Sequence, residues 1–216
     1  INVDNNFYLQ LEEATCRFEF SDFDEENRGW SDSTFEDCVN LKKIALEDGL
    51  RYIPEKSFDS CKRAEIGRLD TEELFIPDTI EFIEANAFRG TAFREITFGS
   101  GDINFIGTGA FSRIESLVTL NFDPEHTQVT IIEPFAFEEA NLQNDLYLPK
   151  NIEEIGLRAF YDSLGEAALG TYAELHFNEI TNNNLFLDIN AFGKSFIKPH
   201  EDLTPTILHG VSGVGF

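Results

Sequence analysis

The sequence predicts a repeat solenoid, a coil of stacked turns with one parallel β-sheet on its concave side, mostly strand and loop with little helix. The first observation behind this prediction is a phenylalanine that recurs with spacings of 23, 30, 23, 26, 23 and 32 residues. Periods of about 20 to 30 residues are typical of solenoids, in which each turn buries its apolar face against its neighbours. The recurrent phenylalanines are Phe35, Phe58, Phe88, Phe111, Phe137, Phe160 and Phe192.

The second observation is a pair of short apolar segments around each phenylalanine. Upstream, two apolar residues lie three apart, as Ile80 and Ile83 do before Phe88; downstream, an apolar-x-apolar segment follows, as in Ile96 and Phe98. Successive side chains of a strand point to opposite faces, so each downstream segment predicts a strand with two inward residues. The predicted strands are 44–46, 74–76, 96–98, 120–122, 146–148 and 175–177.

These residues resemble a known repeat. The segment LPKNIEEIGLRAF at 148–160 is similar to the BspA-type (Treponema-type) leucine-rich repeat, and Cys61 stands three residues after Phe58, where that family places cysteine. The resemblance extends over about residues 35–192. It implies a right-handed leucine-rich-repeat coil. It also implies a surface or secreted protein that acts in adhesion or protein recognition, without catalytic residues shared across the family.

The repeats divide the chain into three parts. Residues 1–30 do not fit the unit and predict an N-terminal cap, with strands at 7–11 and 18–20 in a hairpin-like arrangement. Residues 31–192 hold six to seven repeats, and residues 193–216 predict a C-terminal cap and tail. We expect caps because the end turns of a solenoid otherwise leave apolar core and strand edges uncovered.

The chain is strongly acidic, with 16 Lys and Arg against 40 Asp and Glu and a net charge of −24. This charge repels nucleic-acid phosphates and anionic lipid heads, so it argues against both as partners. No apolar run reaches the roughly 18 residues of a membrane span, and we expect no direct membrane insertion. The charge favours a protein partner with a basic patch. The alternative is that the acidic residues only keep a phenylalanine-rich coil soluble.

The middle residue of each predicted strand faces outward on the concave sheet. Exposed aromatic side chains next to carboxylates suit a partner that offers Arg or Lys. The alternative is that this column is only a solvated sheet face. The candidate binding residues are Phe75, Thr97, Asn121, Tyr147 and His176, together with Glu73, Glu95, Asp145 and Glu174, which lie two residues earlier in their strands.

No motif predicts catalysis or a resident cofactor, and the histidines have no sequence signature that pairs them with Ser or Cys. Asp22 and Asp24 are weak calcium candidates in an acidic loop. An EF-hand loop needs Gly where Asn27 stands and Glu where Ser33 stands, which weakens that interpretation.

The three cysteines do not match a zinc pattern. Cys38 and Cys61 occupy the same inward position of consecutive repeats and are predicted to be buried small hydrophobes. A disulfide between the two turns stays open as an alternative, with Cys16 left over.

The sequence favours a non-enzymatic recognition or adhesion module that binds a protein or surface polymer through its concave face. The chain begins at Ile1 and contains no Met, so we expect a processed chain or fragment, extracellular or at the cell surface. Two alternatives stay open. One is a structural scaffold subunit of a larger assembly, and the other is a carbohydrate-binding protein, for which Tyr147 near Asp145 is the only indication.

Overall fold

The computed structural model describes residues 13–16, 32–39, 43–46, 48–61, 73–123, 126–164, 166–168, 171–176, 185–195 and 198–199. Over these residues the chain consists of short strands and tight turns, without a helix. Strands of consecutive repeats pair in parallel and in register. The predicted solenoid with parallel strands is confirmed.

The front sheet is formed by one N-terminal strand and by the strands that follow the recurrent phenylalanines. Its strands are β1 (Glu13–Cys16), β2 (Lys43–Leu46), β4 (Glu73–Ile76), β6 (Glu95–Phe98), β8 (Thr119–Asn121), β10 (Leu146–Tyr147), β14 (Glu174–His176) and β16 (Lys198–Pro199). They pair as three ladders, β1-β2, β4-β6-β8 and β10-β14-β16. Burial alternates along β4 and β6, so Leu74 and Ile96 point into the coil while Phe75 and Thr97 point outward. The six predicted strands are present, but they pair as three ladders rather than as one continuous sheet, and β1 and β16 were not predicted.

A second, back sheet lies on another side of the coil and was not predicted. It contains β3 (Tyr52–Ile53), β5 (Phe82–Ile83), β7 (Asp102–Ile106), β9 (Gln128–Ile132), β11 (Glu154–Ile155) and β15 (Phe186–Leu187). These six strands form one parallel ladder in the order β15-β11-β9-β7-β5-β3. They come from the upstream apolar pairs, whose members, such as Ile103 and Ile106, are buried in the core. The apolar core thus lies between two parallel sheets.

The recurrent phenylalanines form a continuous stack on a third side of the coil. Neighbouring rings lie 5.0–5.3 Å apart between centroids and are within 11° of parallel. Six of the rings are fully buried, and Phe35 is partly buried against the same core. Offset aromatic stacking at this distance adds to the apolar area that each ring removes from water.

The backbone around each stacked ring repeats as closely as the ring itself. In every repeat the residues two before and two after the phenylalanine are left-handed, with φ between 53° and 64°. This geometry turns the backbone amides along the coil axis, and Phe88 N donates to Ala110 O of the next turn at 2.8 Å. Phe111 N donates to Ala136 O at 2.7 Å in the same way. The phenylalanine side is therefore a third hydrogen-bonded ladder, made of turns.

Two regions add strands to the repeated arrangement of sheets and turns. The insert after Phe160 contains an antiparallel hairpin of β12 (Glu166–Ala168) and β13 (Thr171–Tyr172). Near the N-terminus, β1 pairs in parallel with β2, which adds a strand to the front sheet inside the segment predicted as a cap. The predicted cap strands at 7–11 and 18–20, and most of residues 193–216, lie outside the described residues. The domain boundaries stay a prediction.

Candidate functional site

The outward-facing middle residues of the front-sheet strands lie one above another in a column, which we call the front column. Phe75, Thr97 and Asn121 are in register on β4, β6 and β8. Tyr147 and His176 are in register on β10 and β14. Phe75 is 49% exposed and Tyr147 is 39% exposed. We describe the column as two patches, because the described strand ladders end at β8 and begin again at β10, although Gln143 N donates to Val118 O between these neighbouring turns at 3.0 Å.

The first patch surrounds Phe75, and its polar members are bonded to each other. The Asn121 side-chain amide donates to Glu95 Oε1 at 2.6 Å and lies 3.4 Å from Thr97 Oγ1. Glu73 is exposed and stands opposite Glu95 in the ladder. The amide holds the Glu95 carboxylate in place, while Phe75 offers an apolar contact beside it.

The second patch combines an aromatic stack with two carboxylates. The rings of Tyr147 and His176 stack with centroids 4.2 Å apart and planes within 6°. His176 Nε2 lies 3.7 Å from Glu174 Oε2 and 3.9 Å from Asp145 Oδ2. The Glu174 backbone N–H donates to Asp145 Oδ1 at 2.8 Å, which fixes that carboxylate beside the strand. The structure thus brings together Tyr147, His176, Asp145 and Glu174.

Arginine ion pairs lie on the other sides of the coil. They pair with acidic residues near the phenylalanine turns and beside the back sheet. The more exposed pairs, Arg113–Glu139 and Arg51–Glu81, contribute little to stability, whereas the carboxylates of Asp59 and Glu138 are largely buried. The pairs are Arg89–Asp59 at 3.4 Å, Arg113–Glu139 at 3.4 Å, Arg158–Glu138 at 2.6 Å and Arg51–Glu81 at 2.5 Å.

A second outward column, which was not predicted from the sequence, lies on the back sheet. Tyr52, Phe82, Phe105 and Ile131 are in register on β3, β5, β7 and β9, and each is half-buried. We call these four residues the back stripe. Each stands directly before the second residue of an upstream apolar pair, so aligning the repeats on those pairs would have shown the stripe.

The cysteine pair belongs to the core. Cys38 and Cys61 are fully buried thiols without a disulfide between them, and Cys61 Sγ donates to the Phe35 carbonyl oxygen at 2.8 Å. The hydrogen bond with Cys61 lowers the pKa of Cys38. The same contact, together with burial, raises the pKa of the Cys61 thiol, which keeps it protonated. The Cys16 side chain is outside the described part.

The weak calcium candidates Asp22 and Asp24 lie outside the described residues. In the part of the chain that is described, no three His, Cys, Asp or Glu side chains come together in a way that could hold a metal ion. The same part holds no helix long and apolar enough to cross a membrane.

The stacked parallel strands and the phenylalanine ladder define a β-solenoid of the leucine-rich-repeat class. The family model of the BspA type leucine rich repeat region matches residues 14–72 and 67–195 with six copies, and the chain belongs to this family. The resemblance seen in the sequence is confirmed. The match begins at residue 14, close to β1.

The chain is similar to a solved structure of a leucine-rich repeat protein from Bacteroides ovatus, with 18% sequence identity and a TM-score of 0.41. The similarity covers 77% of this chain and 45% of the Bacteroides protein, so it extends over less than half of that protein's length. No curated protein matches the sequence.

Proposed function

We propose that the protein is a non-enzymatic recognition module that binds a basic region of a protein partner through the front column. The observation that carries this proposal is the Tyr147 patch, where an exposed aromatic ring stands beside the carboxylates of Asp145 and Glu174. A guanidinium or ammonium group can pack on the ring edge or face and pair with a carboxylate at the same time. Phe75 and Glu95 repeat the combination on a neighbouring ladder.

The shape of the site supports a macromolecular partner. A parallel sheet presents its outward side chains in rows about 4.8 Å apart, and the front column extends over successive turns of the coil. Aromatic anchors with flanking charge are the features that dominate protein interfaces. We place the protein outside the cell or at its surface, in adhesion or recognition, on the strength of its family.

The test is a comparison of the double variant Phe75→Ala/Tyr147→Ala with the wild type in a pull-down from the source's surface and lysate fractions. We expect partner capture to fall at least tenfold, and capture by the wild type to weaken between 150 and 500 mM salt because the contact is partly ionic. Both side chains point outward, so the free energy of unfolding should change by only about 0.5 kcal/mol.

The matched control is Phe135→Ala, a half-buried aromatic residue on the phenylalanine side of the coil and outside both sheets. It should capture the partner as the wild type does. Equal capture by the wild type and the double aromatic variant would show that the front column is not the binding site.

A structural subunit of a larger assembly is a second candidate. It is favoured by Phe186 and Ile189, which are 56% and 67% exposed close to the last described turns. Native mass spectrometry of material from the source would show a neighbour in fixed stoichiometry if this role is correct. The carbohydrate-binding alternative has less support, since His176 covers one face of the Tyr147 ring that a sugar would use.

A further inference from the structure

We propose that the back stripe is a second docking surface, and that it binds a basic amphipathic helix of a partner protein. The front column and the back stripe lie on different sheets of the same coil. The protein would then contact two partners, or two parts of one partner, at once. This inference does not depend on the function proposed for the front column.

The first argument is the placement of the stripe. Tyr52 is in register with Phe82, Phe82 with Phe105, and Phe105 with Ile131. These are outward positions, since their neighbours Ile53, Ile83, Ile106 and Ile132 fill the core. Four adjacent parallel strands place the side chains along the coil axis over about 14 Å. Each of the four side chains is half-buried, so the row leaves a narrow apolar edge accessible to a partner.

The second argument is how the aromatic rings of the stripe pack against one another. Tyr52 and Phe82 stack with centroids 4.8 Å apart and planes within 9°. Phe105 meets Phe82 at 5.3 Å with an angle of 61°. The stacked rings cover each other's faces, and the partner meets ring edges and the Ile131 methyl groups. Such a ridge suits branched aliphatic side chains better than the flat apolar face of a sugar.

The third argument is spacing, which favours a helix over an extended segment. One turn of an α-helix rises about 5.4 Å, close to the 4.8 Å between strands, so one apolar residue per turn meets one rung. Across the stripe the mismatch accumulates to only about 2 Å. An extended segment repeats same-face side chains every 6.6–6.8 Å, roughly 6 Å too long over the same distance.

The fourth argument is charge. The stripe continues in register from Ile131 into Glu154, which follows the exposed Glu153, and Asp102 is exposed at the start of β7. On the same sheet, Arg51 binds Glu81 with two hydrogen bonds of 2.6 and 2.5 Å, so that cation is already matched. Carboxylates beside an apolar ridge complement Lys and Arg on a helix. The net charge of −24 opposes a second copy of this chain or an anionic membrane as the occupant.

The probe for this proposal is a synthetic helical peptide of about 18 residues with Leu at i, i+4, i+7 and i+11 and with Lys and Ala elsewhere. Its binding to the full chain is followed by fluorescence anisotropy at 150 mM salt. The control peptide has the same composition, with Leu distributed around the helix. We expect saturable binding of the first peptide and at least tenfold weaker binding of the second. Equal binding of both would reduce the effect to bulk charge, and absence of saturation would also overturn the proposal.

Two variants locate the site. Phe82→Ser/Phe105→Ser removes the ridge, and Glu153→Lys/Glu154→Lys reverses the flanking charge while it keeps every ring in place. Each double variant should weaken the binding of the amphipathic peptide at least tenfold. The matched control is Phe135→Ser, a half-buried aromatic residue on the phenylalanine side of the coil that belongs to neither docking surface, and it should bind the peptide as the wild type does. Loss of binding in Phe135→Ser, or full binding in the charge-reversed variant, would contradict the proposal.

Discussion

The phenylalanine side of the coil and the front column are formed by the same turns of the chain, and they follow opposite rules. On the phenylalanine side, seven turns carry the same residue and the same pair of left-handed positions, and in the first six the phenylalanine N–H donates to the next turn. In the front column, six turns carry six residue types: Ala45, Phe75, Thr97, Asn121, Tyr147 and His176. Repetition is needed where each turn must fit onto the next. A position that faces solvent has no such requirement and can carry specific contacts.

The largest expected effect is the difference in stability loss between substitutions of two phenylalanines, one on each of these sides. Phe111→Ala removes a fully buried ring that stacks on Phe88 and Phe137, both at 5.2 Å. The cavity and the lost apolar burial should lower the free energy of unfolding by about 3–5 kcal/mol. Phe75→Ala removes the same side chain from the front column and should change stability by only about 0.5 kcal/mol. Urea denaturation of both variants measures the contrast. Equal losses would show that the front column is part of the stabilising lattice.

A smaller effect is expected at the left-handed turn positions. Gly90 and Gly109 both have φ of +64°, and an added Cβ would meet its nearest neighbour at 3.8 Å in Gly90 but would lie 2.7 Å from Asn86 Oδ1 in Gly109. Gly90→Ala should therefore cost about 1 kcal/mol, for the backbone conformation alone. Gly109→Ala should cost about 1 kcal/mol more, because Asn86 must move. Thermal unfolding of the pair separates the two costs, and a larger loss in Gly90→Ala would contradict this order.

The same contrast explains what the sequence could predict of the fold. The phenylalanine spacing and the apolar-x-apolar segments predicted the stack and the front strands, because those features repeat in residue type. The back sheet was missed because its inward residues are three apart, as Ile103 and Ile106 are, and a strand is expected to alternate. The structure accommodates this spacing with two outward residues between them in β7. A period of three does not indicate a strand until a neighbouring turn pairs with it.

Less of the candidate site could be predicted. Strand alternation placed Phe75 and Tyr147 on an outward face, but the Tyr147–His176 stack joins residues 29 positions apart and depends on side-chain orientation. The hydrogen bond from Asn121 to Glu95 also joins residues that are distant in the sequence and depends on side-chain orientation. Whether the front column binds a partner stays a prediction, since its residues do not repeat and no pattern in one chain can identify what they contact.

The smallest expected effect is a gain in stability on the phenylalanine side. Lys56 lies at a left-handed position with φ of 53°, and its ion pair with Glu55, at 3.7 Å between exposed groups, contributes little. Lys56→Gly should relieve the backbone cost and, after the entropy that glycine adds to the unfolded chain, raise the free energy of unfolding by about 0.5 kcal/mol. Arg94→Gly, at an exposed residue just before β6 without positive φ, should lower it by about 0.5–1 kcal/mol. Opposite signs in parallel urea titrations would tie the gain to the left-handed geometry. A loss in both would mean that the turns tolerate L-residues without strain, so that their repetition serves the hydrogen-bonded ladder alone.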